Sequence, residues 1–395
     1  MPFTFRCASS VTRDRVPPLS ARNERTCQET CLRTLAKATI GAGLRLAKPL
    51  ACWWARRGYF RPRDWATLEA RRIAIVACHW LGDTLWASQT VDVLKRRFPG
   101  AELYAVTKPG SLSLWNGWLE PERVLAAPEV VSDRRRERAS WRALARRAAS
   151  WRPLDFDLAI DLTGNRYSAF FCFWLRPGCA LGFNGDEAGG LYTYRVPEAD
   201  RAGAPLRERP FRVIAPLLAA WPEPFACPAL LRPPKPACEA RELREALKLG
   251  DDPYYVVVPG AGWAEKEWPP EAFAEVARRL SSSGLVLVLG TPAQAGLCAT
   301  VAGGLERVRV VTGEPLGRVL GLLAGAAGAV TNVSGLGHLA AAYGRRTAMV
   351  FRDPIERQIG CPVGPDGCAR LFAPDTPPAI VVEHIRGTGE GGRSR

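Results

Sequence analysis

Histidine is scarce in this chain: three residues in 395. Cys361 and Cys368, separated by six residues, have no histidine pair near them, so no zinc spacing is met and no metal site is expected. No uncharged apolar run reaches the roughly 18 residues of a membrane-crossing helix. The first thirty residues lack the uninterrupted apolar core of a secretory signal. No G-x-G-x-x-G follows the first strand of either half, which argues against a nicotinamide dehydrogenase. The twelve cysteines are scattered, and several (Cys78, Cys172, Cys298) lie inside apolar segments. They read as small buried hydrophobes of a reducing compartment rather than a disulfide framework.

The composition, 47% hydrophobic and 24% charged, is that of a globular protein, and the length suggests two domains of ordinary size. The formal charge of +15 is unevenly placed, because residues 1–72 carry fifteen Lys/Arg against five Asp/Glu. A basic end suggests an acidic partner, most simply an anionic membrane surface. No nucleic-acid-binding motif accompanies it. Residues 1–30 read as weakly ordered. In residues 31–60, Leu32, Leu35, Ile40, Leu44 and Leu46 alternate with Arg33, Lys37, Arg45 and Lys48, and Trp53-Trp54 precede Arg56-Arg57. Two readings stand: an interfacial helix lying on a bilayer, or a helix packed on the first domain.

From residue 71 the pattern is strand–helix–strand. Arg72–Cys78 is a continuous apolar run, as a parallel sheet covered on both faces requires. The loop His79-Trp80-Leu81-Gly82-Asp83 follows, then a helix to about Phe98, and strands at 102–107, 123–126, 157–162 and 179–183. Residues 132–151 form an arginine-dense amphipathic helix, whose arginines are either a solvated face or a hold on an anionic acceptor. Residues 197–236, rich in proline and alanine with a helix at about 210–221, read as the crossover between domains. The second half gives strands at 254–258, 285–289, 308–311, 328–331 and 347–351, alternating with helices at about 270–282, 293–304, 315–325 and 336–343. Alternating strands and helices predict doubly wound parallel sheets. The expected division is a basic extension at 1–70, domains at 71–196 and 237–386, a linker at 197–236 and a disordered tail at 387–395.

Ligands of such sheets sit at the carboxyl ends of the strands. The loop after the strand at 328–331 carries Ser334, Gly335, Gly337 and His338, a glycine-rich turn opening a helix and so a natural place for a phosphate. The same residues also fit a Ser334-capped helix whose glycines only permit close packing. The loop after residue 258 carries Gly260 and Lys266, which would approach and neutralise an anion, although a surface lysine is an ordinary loop residue. Asp83 is either a general base toward a hydroxyl or an N-cap.

Together these segments resemble glycosyltransferase family 9, which includes the ADP-heptose:lipopolysaccharide heptosyltransferases. The resemblance rests on Leu81-Gly82-Asp83-Thr84-Leu85, Phe98-Pro99-Gly100-Ala101, Phe156 to Gly164, Pro259-Gly260 through Lys266 and Trp268-Pro269, and Ser334-Gly335 with His338 to Ala342 and Gly344. It covers about residues 71–370.

What the resemblance implies is an α/β, GT-B fold. Two Rossmann-like doubly wound domains would face a cleft, with the acceptor on the first and a nucleotide-sugar on the second. The implied reaction is metal-independent, inverting sugar transfer to a lipid-linked or polysaccharide hydroxyl at the inner face of the cytoplasmic membrane. No cofactor is implied beyond the donor itself, an ADP-sugar used as substrate. By the same resemblance Asp83 is the base, with His79 and Gly82 on the acceptor side. Gly260, Lys266, Thr291, Ser334, Gly335, Gly337 and His338 hold the donor.

Three positions depart from the family pattern. Val333 replaces an acidic residue, no glutamate follows Gly290 at the expected place, and Arg352 replaces a glycine. These departures motivate the alternative of a non-catalytic GT-B protein that binds a glycan or partner through a degenerate donor site. An epimerase on the same fold ranks lower, since its additional acid–base residues are not found.

Overall fold

The computed structural model describes residues 64–65, 67–128, 141–184, 191–197, 205–219, 228, 230–236, 239–250, 252–262, 264–352 and 364–387. The expected interfacial helix at 31–60, the start of the arginine-dense helix and the tail beyond 387 lie outside these residues.

In chain order the elements begin with β1 (Arg72–Val76), α1 (Leu81–Ser88), α2 (Thr90–Arg97), β2 (Glu102–Thr107) and β3 (Val124–Ala126). Then come α3 (Trp141–Ser150), β4 (Leu158–Asp161), α4 (Arg166–Leu175), β5 (Cys179–Asn184), β6 (Tyr194–Pro197) and α5 (Arg209–Leu218). The second half contains α6 (Glu239–Ala246), β7 (Tyr254–Val258), α7 (Pro270–Ser281), β8 (Leu285–Gly290), α8 (Ala295–Ala302), β9 (Val308–Thr312) and α9 (Leu316–Gly325). It closes with β10 (Gly328–Asn332), α10 (Gly335–Ala342), β11 (Arg346–Val350), β12 (Ala369–Phe372) and α11 (Pro378–Arg386).

The strands form two all-parallel six-stranded sheets, ordered β3-β2-β1-β4-β5-β6 and β12-β11-β10-β7-β8-β9. Renumbered from its own first strand, each has the order 3-2-1-4-5-6 of the Rossmann fold. The central strands are apolar along their length because helices cover both faces. All five residues of β7 and all five of β10 are buried. In the first sheet Ile73 of β1 pairs with Leu103 of β2 on one side and Leu158 of β4 on the other. In the second, Val330 of β10 pairs with Val257 of β7 and Ala348 of β11.

The chain divides into two compact units, and not at a single point. One comprises residues up to 79, 90–112 and 119–227; the other comprises 80–89, 113–118 and 228 onward. The first has its core in Val76, Cys78, Val106, Phe156, Phe170 and Phe171. The second has its core in Val257, Phe273, Val276, Leu280, Val288, Val330 and Ile385. Thus α1, which follows β1 in sequence, packs as part of the second unit. So does the short segment 113–118, where Lys235 N–H donates to Asn116 O at 2.9 Å and the Arg232 guanidinium stacks on Trp118.

Most strand and helix positions match the sequence reading within one or two residues. The single helix expected up to Phe98 is two helices, α1 and α2, divided at Gln89, whose amide binds Leu85 O and Arg232 O instead of pointing to solvent. The edge strands β6 and β12 and the helices α4, α6 and α11 were not anticipated. Each edge strand is only four residues long with a single buried residue, so neither gives the long apolar run that marks a buried strand.

Candidate active site

In a sheet ordered 3-2-1-4-5-6 the chain turns in opposite directions after the first and fourth strands, which opens a crevice at their carboxyl ends. In the second unit those strands are β7 and β10. β7 runs into Pro259-Gly260-Ala261, and β10 runs into Asn332-Val333-Ser334. Asn332, fully buried at the end of β10, joins the two loops. Its Nδ2 donates to Pro259 O at 2.6 Å and its Oδ1 accepts from Trp268 N–H at 2.8 Å. Glu267 adds a second tie, accepting from Ala261 N–H at 2.9 Å, while Arg352 donates to Glu267 O at 2.9 Å. The loop carrying Lys266, a short helical turn at Ala264–Lys266, is therefore held on both sides of the lysine. Thr291 opens the turn after β8 with a reciprocal cap to Gln294, whose amide lies against Gly260 where a Cβ would otherwise stand.

Ser334 is the N-cap of α10, its Oγ accepting from Gly337 N–H at 3.4 Å. A helix so capped directs its first backbone N–H groups and positive dipole end outward from the strand ends. Two glycines in the first turn of an eight-residue helix each cost roughly 1 kcal/mol relative to alanine. Close approach explains them. A Cβ on Gly335 would stand 2.5 Å from Leu81 Cβ and 2.8 Å from Gly82 N, so the starts of α1 and α10 touch backbone to side chain. A Cβ on Gly337 would overlap Thr331 and Met349 beneath it.

This contact places Gly82 and Asp83 beside His338. The imidazole Cδ2 is 3.5 Å from where a Gly82 Cβ would be, and Trp86 of α1 meets the ring edge-on with centroids 6.0 Å apart. His338 is only 4% exposed, and its Nδ1 has no hydrogen-bond partner. Burial pushes its pKa down to about 4, against the opposing pull of the Asp83 carboxylate. The ring is therefore neutral near pH 7. Asp83 is not an N-cap. That position belongs to Trp80, which makes no side-chain cap bond, and Asp83 lies half-buried inside the first turn of α1.

Thus Gly82, Asp83, Gly335 and His338 are brought together at two abutting helix starts. Gly260 and Thr291 are linked through Gln294, and Lys266 stands in the loop that Asn332 anchors. His79, half-buried just beyond β1, belongs to the other unit. The sequence reading did not single out Asn332 or Gln294. Asn332 left a trace, since a polar amide closing an otherwise apolar buried strand must find partners.

In the first unit the equivalent crevice lies between β1 and β4 and ends on Asp161. Its carboxylate is buried and accepts from Thr163 N–H, Gly164 N–H and the Tyr192 hydroxyl at 2.8, 3.0 and 2.6 Å. Desolvation raises its pKa, and these donors counter that rise. Among the described residues no cluster of three or more metal-ligating side chains occurs.

Comparison with known proteins gives a consistent result. The family model of glycosyltransferase family 9 (heptosyltransferase) matches residues 143–366, more than half of the chain. Lipopolysaccharide heptosyltransferase 1 of Pseudomonas aeruginosa is 28% identical over 305 residues, covering 71% of this chain and 78% of that protein. Among solved structures, ADP-heptose lipopolysaccharide heptosyltransferase II of E. coli superposes with a TM-score of 0.67 at 18% identity, over 80% of this chain and 98% of that one. The E. coli heptosyltransferase WaaC with ADP gives a TM-score of 0.62 at 21% identity, over 80% and 100%. These structures share the fold.

Proposed function

Because the chain belongs to glycosyltransferase family 9 (heptosyltransferase), and is a glycosyltransferase by that membership, we propose that it transfers a heptose or similar sugar from a nucleotide-sugar to a lipopolysaccharide-type or other envelope glycan. The observation that carries the reading is the contact of Gly82 with Gly335, which sets a carboxylate beside a glycine-rich helix start. Asp83 takes the proton of the acceptor hydroxyl, and the freed oxygen attacks the anomeric carbon from the face opposite the diphosphate. The bond from that carbon to the diphosphate oxygen breaks, and configuration inverts. Negative charge grows on the departing diphosphate. The Lys266 ammonium and the first N–H groups of α10 face it as fixed positive partners, so the charge is met without a metal ion. A donor group reaching His338 Nδ1 would also recover the roughly 1–3 kcal/mol that an unpaired buried polar atom costs.

In this reading the donor is an ADP-sugar, as the names of the similar heptosyltransferases suggest. Val333 and Arg352 alter the donor loops relative to the family pattern, so the sugar itself is the property most open to change. No helix among the described residues is long and apolar enough to cross a membrane. Contact with the inner face of the cytoplasmic membrane would therefore be peripheral, through the basic segment 31–60.

A thermal-shift screen against ADP-, UDP-, GDP- and CDP-sugars tests the donor site. Saturable stabilisation by one nucleotide class, lost in Lys266→Ala, is expected. Asp83→Asn should keep that stabilisation and lose about 10²–10⁴-fold in turnover. Unchanged turnover would remove Asp83 from the mechanism.

A further inference from the structure

The two positive partners of the departing diphosphate, Lys266 and the start of α10, stand on separate loops, one after β7 and one after β10. A lysine on a loop keeps one position only if the loop is fixed at both ends, and Asn332 fixes both. Its Nδ2 donates to Pro259 O at 2.6 Å, where the loop leaves β7. Its Oδ1 accepts from Trp268 N–H at 2.8 Å, where the loop meets α7. Trp268 is anchored in turn, 2% exposed with its Nε1 donating to Pro374 O at 2.9 Å. The Asn332 amide is fully buried, so water is not at hand to replace a lost partner. An amide offers donor and acceptor on one planar group, which the aliphatic residues of a buried strand do not. The backbone of Asn332 closes β10 beside Val350 of β11, two residues before the Ser334 N-cap.

We propose that Asn332 is a positioning residue for the transfer, its side chain holding the Lys266 loop and its backbone the start of α10 at one fixed separation, on which the grip on the diphosphate depends. Asn332 acts without touching the donor. Its effect passes through Lys266, the residue of the clamped loop that carries positive charge to the leaving oxygen. Moving such a group by about 1 Å is enough to cost on the order of a hundredfold in rate. This deepens the transferase reading and rests on it for the part played by Lys266.

The test is a double-mutant cycle in the full chain with Asn332→Ala, Lys266→Ala and the pair. It is read as kcat/KM for ADP-heptose and as affinity for ADP by calorimetry, with a urea midpoint for each variant. Asn332→Ala should lower kcat/KM about a hundredfold in the wild-type background, and less than about threefold once Lys266 is alanine. Equal losses in both backgrounds would show that Asn332 serves the fold and not the lysine, and would overturn the proposal. Should Asn332→Ala fail to fold, Asn332→Asp decides. Ionised, the new carboxylate still accepts from Trp268 N–H but meets Pro259 O without a proton; protonated, it regains a donor. Burial disfavours the ionised form, so activity relative to the wild type should recover as pH falls from about 8 to 6. No such recovery is expected in the Lys266→Ala background. Recovery in both backgrounds, or in neither, overturns the proposal. If the wild type binds ADP without transferring sugar, and the two substitutions are non-additive in ADP affinity, the clamp stands and the transferase reading fails. Additive losses of affinity overturn the clamp alone. A wild type that neither binds ADP nor transfers sugar overturns both.

Discussion

His338 carries a pH signature. Its folded pKa of about 4 lies below the unfolded value near 6.5. Between these values the unfolded chain holds a proton that the folded chain refuses, so stability falls as pH drops from about 6.5 to 4 and levels off below. The full shift corresponds to about 3 kcal/mol at 1.36 kcal/mol per unit. His338→Gln should remove that slope. Urea unfolding at pH 7, 5.5 and 4.5 is expected to show the wild type losing about 2 kcal/mol more than the variant across this range, whereas parallel profiles would show that the histidine titrates normally. Tyr192 supplies a second residue-level test. Its hydroxyl donates to the buried Asp161 carboxylate at 2.6 Å, and its ring packs where a Gly182 Cβ would otherwise stand. Tyr192→Phe keeps the ring and leaves a buried acceptor short of a donor. A loss of about 1–3 kcal/mol with an unchanged denaturant slope is expected.

At the scale of the element, the meeting of α1 and α10 makes an asymmetric prediction about two glycines. Alanine at Gly335 has to displace Leu81 and the backbone of Gly82, whereas alanine at Gly82 meets the imidazole edge at 3.5 Å and Gly335 Cα at 3.7 Å, both ordinary contacts. Gly335→Ala should cost about 1–3 kcal/mol of stability, as overpacking does. It should also lower kcat, since the helix bearing Asp83 must shift. Gly82→Ala should be close to neutral in stability by chemical denaturation, and equal costs would refute the close contact. The elements themselves were largely legible. β7 and β10 betrayed themselves by apolar runs, and Ser334 by its place before a helix. Pairing was not legible. Nothing local in Leu81-Gly82 announces that Gly335 lies against it, because the signal for a close approach is an absent side chain in each partner.

For the whole molecule, the α/β class and the doubly wound parallel sheets followed from the alternation of strands and helices, since that pattern admits few topologies, while the GT-B arrangement was what the family resemblance implied. Assignment of α1 and residues 113–118 to the second unit followed from neither. Chain order places both segments among the strands of the first sheet, and only their tertiary partners, His338 for Trp86 and Arg232 for Trp118, reveal where they pack. A fragment starting at residue 228 would keep the core around Phe273 and Val330 but leave bare the start of α10, against which α1 packs. Expressed alone, it should unfold by circular dichroism at a lower midpoint than a fragment carrying residues 80–395. Equal midpoints would show that the α1 contact adds nothing to stability.

The same interleaving has a consequence for synthesis. Gly82 leaves the ribosome about 250 residues ahead of Gly335, the residue it must touch. Until then the Trp86 ring of α1 lacks the His338 imidazole it packs against. Contacts of such sequence separation close late and slowly, and apolar surface waiting for them is what chaperones hold. The helix bearing Asp83 is among the first made and, by this logic, among the last to settle.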